Sequence, residues 1–65
     1  MCLIKVKIIE QDGSRMFENI AMIEIRDGLL ILRDIFLREV VKISVDKIDE
    51  LVVNTVDAVA LLKLR

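Results

Sequence analysis

Cys2 is the only cysteine in this 65-residue chain, and the chain has no histidine. Any metal or nucleophile chemistry therefore centres on one sulfur, placed directly behind Met1. If Met1 is removed, the Cys2 thiolate and the Cys2 α-amine close a five-membered chelate ring. If Met1 stays, the Met1 amine, the Cys2 amide nitrogen and the Cys2 sulfur still form a compact donor set. Sulfur with strong nitrogen donors in a plane suits Ni(II) or Cu(II), whereas tetrahedral thiolate sites suit zinc. The ordinary alternative is that Cys2 is a small apolar residue at the start of a strand, as free cysteines often are.

Other chemistry is sparse. Without histidine, neither a Ser-His nor a Cys-His pair can form. No P-loop and no dinucleotide-binding fingerprint occurs. Ser14 reads as a turn residue after Asp12-Gly13, and Ser44 alternates within a strand with no base beside it. Asp46, Asp49 and Glu50 lack the ligand spacing of a dedicated calcium loop and read as a solvated turn and strand edge. An N-terminal cysteine also opens the amidotransferases of the N-terminal nucleophile class, but their large four-layer sandwich is far beyond 65 residues.

One cysteine on so short a chain needs a scaffold, and the scaffold is marginal alone. A domain of this size buries only about 60% of the surface its unfolded form exposes. Disulfides, a metal or oligomerisation are the usual reinforcements. A single cysteine excludes an internal disulfide, and 55% apolar residues favour a partner subunit. Ten basic against eleven acidic residues give a net charge of −1, which argues against nucleic acid, as do two phenylalanines with no tyrosine or tryptophan. Lys5 and Lys7 on the outer face of the first strand are the candidate RNA contacts if that reading held. No apolar run reaches the roughly 18 to 20 residues of a membrane span. Met1 to Lys7 lacks the layout of a signal peptide. With a free thiol at ease in a reducing compartment, the expected location is cytoplasmic.

Alternation of apolar and polar residues predicts an all-β domain. Leu3 to Glu10 reads as the first strand, with Ile4, Val6 and Ile8 inward and Lys5 and Lys7 outward. Met16 to Glu18 reads as a short strand or an approach to the next. Ala21 to Arg26 and Leu29 to Asp34 form a hairpin around Asp27-Gly28, a two-residue turn that needs positive φ at both positions. Glu39 to Val45, Ile48 to Val53 and Asp57 to Leu64 follow. The tail from Asp46 also fits helical spacing loosely, but the β-branched Val52, Val53, Thr55 and Val56 favour strand. Five to six short antiparallel strands in one domain, residues 1–65, predict a small SH3-like barrel without an internal pocket.

The hairpin register makes a sharper prediction. Ile23, Ile25, Leu30 and Leu32 fall on one side, the core. Met22, Leu29 and Ile31 fall on the other, among Glu24 and Arg26. That side should be mostly polar in a monomer, so a second copy of the chain is expected to cover Met22, Leu29 and Ile31.

Several segments together resemble one family. Met1-Cys2-Leu3-Ile4-Lys5-Val6, the early Asp12-Gly13 turn, Ile25-Arg26-Asp27-Gly28, Asp34-Ile35-Phe36 followed by Glu39, and Val45-Asp46-Lys47-Ile48-Asp49 look like the CooT family. These are small Met-Cys-initiated proteins, some associated with nickel delivery to carbon monoxide dehydrogenase, and also labelled predicted RNA-binding. The resemblance implies an SH3-like fold, a homodimer and one Ni(II) held between subunits, with Cys2 as the only side chain carried over as a ligand. The client enzyme stays open. Two positions depart: Ile4 stands where many relatives have a small residue, and Leu37 where a glycine often follows the Asp-x-Phe segment. Geometry agrees, since two copies about a two-fold axis would offer two thiolates and backbone nitrogens from Met1, Cys2 or Leu3.

Overall fold

The computed structural model describes residues 3–65, so Met1 and Cys2, with the metal-ligand expectations attached to them, lie outside the described residues. The described residues form seven strands: β1 Ile4–Glu10, β2 Gly13–Ile20, β3 Met22–Arg26, β4 Leu29–Arg33, β5 Glu39–Ser44, β6 Ile48–Asn54 and β7 Val59–Leu64. One 3-10 turn, Val45–Lys47, joins β5 to β6. The domain is all-β. Among the described residues, no helix is long and apolar enough to cross a membrane.

The strands form two sheets rather than one closed barrel, in the orders β2-β1-β7-β6 and β3-β4-β5. Two features of the expected barrel are thereby corrected. There is one strand more than five to six, because Gly13–Ile20 is a full strand although its polar-rich sequence alternates weakly. The pairing is also not wholly antiparallel, since β1 and β7 run parallel. Period-two alternation reports which face is buried, not which way a neighbour runs.

Alternation does place the core. Val6 and Ile8 of β1, Ile20 of β2, Leu30 and Leu32 of β4, Ile43 of β5, and Ala60 and Leu62 of β7 are buried together between the sheets. Lys5 and Lys7 take the opposite side of β1, as expected. The hairpin register is as the two-residue turn requires: Arg26 faces Leu29, Ile25 faces Leu30 and Ile23 faces Leu32. Asp27 and Gly28 both have positive φ, 52° and 76°. Antiparallel strands splay less over such a turn because its twist matches theirs.

The hairpin's sides need two corrections. Ile25 has core parity but is 64% exposed. β3 is an edge strand and Ile25 lies next to the turn, beyond the cover of the facing sheet. Ile31 points to the outer side as expected, yet it is only 5% exposed within the single chain. It sits on the central strand between Glu24 and Lys42. Around it runs a chain of ion pairs: Arg26 to Glu24 at 3.0 Å, Arg33 to Glu24 at 3.1 Å, Arg33 to Glu39 at 3.6 Å and Lys42 to Glu39 at 3.5 Å. Long charged side chains cover apolar surface with their stems. A second copy is therefore not needed to bury Ile31. Met22 remains exposed and Leu29 half-buried.

Candidate functional site around the start of the first strand

The start of β1 is held on both flanks. The Lys5 N–H donates to the Ala58 carbonyl at 3.1 Å, and Ile4 lies opposite Ile20 on β2. This fixes where the chain leads out through Leu3. Leu3 lines an open cavity of about 490 Å³, together with Glu18, Asn19, Asp34, Ile35, Phe36, Arg38 and Val40.

Backbone irregularities build this cavity. Between the Ile4–Ile20 and Val6–Phe17 pairs, β2 carries one residue more than β1. The bulge sets Glu18 and Asn19 across from Lys5, with Asn19 at φ 59°. Between the Leu32–Val41 and Arg33–Glu39 pairs, β5 likewise carries one extra residue, Val40. An extra residue bends the strand and re-aims its side chains. Both bulges supply cavity residues.

The third wall is the loop from Asp34 to Arg38, which Asp34 organises. Its Oδ1 accepts from the Phe36 N–H at 2.9 Å and the Arg38 N–H at 3.0 Å, and its Oδ2 accepts from Arg38 Nε at 2.8 Å. An aspartate whose side chain bonds the backbone two residues on makes an Asx-turn. Partial desolvation opposes the charged form of Asp34, but the Arg38 backbone and guanidinium donors, the Phe36 N–H and the Arg38 charge outweigh it. The carboxyl is held below its ordinary value. Arg33 Nη1 donates to the Leu37 carbonyl at 2.9 Å, tying the loop to the ion-pair chain on the second sheet. Leu37 takes φ 64°. A bulky residue there is unusual and costs on the order of 1–2 kcal/mol, which is why glycine suits this position.

The loop presents its apolar side chains outward. Phe36 is 73% exposed, and Ile35, Leu37 and Val40 are all exposed. The Arg38 guanidinium lies over the Phe36 ring, 5.1 Å from its centroid.

The sequence-derived candidates are scattered around this frame. Lys5 forms an ion pair with Glu18 at 3.5 Å, and Lys7 stands beside Met16 and Leu61 in the sheet register. Among the described residues, no three carboxylate, thiol or imidazole side chains come together as a metal site. Asp34 and Glu18 border the cavity, but Asp34 already accepts three hydrogen bonds and Glu18 is paired. Cys2, the chain's only thiol, lies outside the described residues. Sequence reasoning missed the cavity and the exposed Phe36, although the Asp34-x-Phe36 spacing and the Leu37 departure were signals at that place. Comparison of the chain with protein-family models and with curated proteins finds no match to either.

Proposed function

We propose that this protein is a non-catalytic nickel-binding accessory protein. It carries Ni(II) as cargo to a nickel enzyme, of which carbon monoxide dehydrogenase is the example the CooT resemblance suggests. It acts in the cytoplasm as a homodimer of SH3-like subunits. Cys2 supplies the sulfur, and backbone nitrogen of Met1, Cys2 or Leu3 completes the plane. The carrying observation is that the chain's only thiol, Cys2, directly precedes Leu3, which lines the cavity. A planar sulfur–nitrogen set favours nickel or copper over zinc.

The proposal makes the site a property of two chains, because one Cys2 offers too few donors. Metal that binds only the dimer then stabilises the dimer by mass action. Nickel titration of the reduced, untagged protein tests it, read by thiolate-to-nickel absorption beside the Cys2→Ser variant. The expected result is loss of nickel in a variant that remains a folded dimer. Equal affinity in Cys2→Ser would refute the reading.

A further inference from the structure

We infer that the outer edge of β6 is a docking site for an extended, basic segment of a partner protein, which joins the four-stranded sheet as a fifth strand. The edge itself specifies a strand. β6 ends the order β2-β1-β7-β6, so among the described residues one side of Ile48–Asn54 has no neighbouring strand. Unpaired N–H and C=O groups along such an edge are a template for another extended chain. The other sheet edges are blunted. β2 carries a bulge together with Arg15 and Glu18, and β5 carries the Val40 bulge with Lys42. β3 is only five residues long and bears Glu24 and Arg26. β6, by contrast, runs regularly against β7 from Glu50 to Asn54, and Leu51, Val52 and Val53 place no charge on it. Leu51 and Val53 pair with buried Leu62 and Ala60, yet they are 36% and 51% exposed, so the facing sheet leaves them open.

Charge selects the occupant. Glu10, Glu18, Glu24, Asp34 and Glu39 each form an ion pair within the chain. Asp46, Asp49, Glu50 and Asp57 form none among the described residues, and all four are exposed. The first three precede the run from Leu51 to Val53 and the last follows it, with Lys47 the only cation between Val45 and Asp57. A second copy of β6 would set these carboxylates near their own kind. A segment with β-branched residues between lysines or arginines meets both the open edge and the unpaired negative charge. This docking needs no metal and does not rest on the nickel reading.

Amide NMR of the isotope-labelled, reduced, metal-free chain tests the site. The probe is a blocked peptide of alternating threonine and valine with two lysines at each end. Saturable shifts are expected on β6 and on the turn through Asp57. They should vanish when the core amides of the peptide are N-methylated, which removes its donors, and when glutamates replace its lysines. Asp49→Lys combined with Glu50→Lys should weaken binding roughly tenfold, the effect of reversing two exposed charges. Both side chains are exposed, so the variant should keep the parent far-UV spectrum. No saturable shift at millimolar peptide would overturn the inference. Equal binding of the glutamate peptide or of the N-methylated peptide would do the same, as would shifts centred on Phe36 instead of β6. Shifts on β6 that grow with protein concentration in the absence of peptide would make a second copy the occupant and remove the basic partner.

Discussion

Asp34 shows how one side chain can shape a site it does not chemically serve. Three donors converge on its carboxylate, and the loop bearing Phe36 takes its form from them. Because its folded pKa lies below the unfolded value of roughly 3.9, its contribution is complete above that value. It is lost as pH falls through the lower folded value. Thermal melts between pH 6 and pH 2 should therefore show the Asp34→Asn variant losing less stability on acidification than the parent. An unchanged pH dependence would contradict this account of Asp34. Asp34→Ala should melt lower than Asp34→Asn at neutral pH, since only asparagine keeps an acceptor for the Phe36 and Arg38 N–H groups. At this scale Cys2 was legible at once from its uniqueness. Asp34 was legible only as part of an Asp-x-Phe segment, because its three partners are set by a fold.

Arg33 joins elements that alternation treats as separate. Its guanidinium reaches Glu24 on β3, Glu39 on β5 and the Leu37 carbonyl in the loop. Lysine has one compact ammonium and cannot hold these positions at once. Arg33→Lys should cost about 1.5–3 kcal/mol in urea unfolding, the range for hydrogen bonds to charged groups. A loss within error would mean the network contributes nothing net, as many exposed ion pairs do. Ile31 beneath that network supplies a second test. Ile31→Ala should destabilise the chain by about 2–5 kcal/mol, even at concentrations where it is monomeric. A cost that appears only in the dimer would place Ile31 at the interface instead.

The hairpin was readable from Asp27-Gly28 and its flanking alternation, down to the pairing register. The bulges at Val40 and around Asn19 were not, because an extra residue in one strand is defined by its partner strand. Nor was the burial of Ile31 readable, since it depends on charged stems from two neighbouring strands.

For the whole molecule, 65 residues in two small sheets leave apolar surface uncovered, including Ile35, Phe36 and Val40 around the cavity that Leu3 lines. The all-β class and the inward residues of β1, β4 and β7 followed from alternation. The open two-sheet arrangement and the parallel β1–β7 pair did not, because both depend on how the ends of the chain meet. The proposed nickel site belongs to this scale, since it requires two chains. Its thiol must lose a proton to bind, so nickel affinity should rise between pH 6 and pH 8. The most direct measurement is native mass spectrometry of the reduced protein titrated with Ni(II), with Cys2→Ser in parallel. The account predicts one nickel per two chains in the parent and none in the variant. Nickel retained by Cys2→Ser, or bound one per single chain, would contradict it.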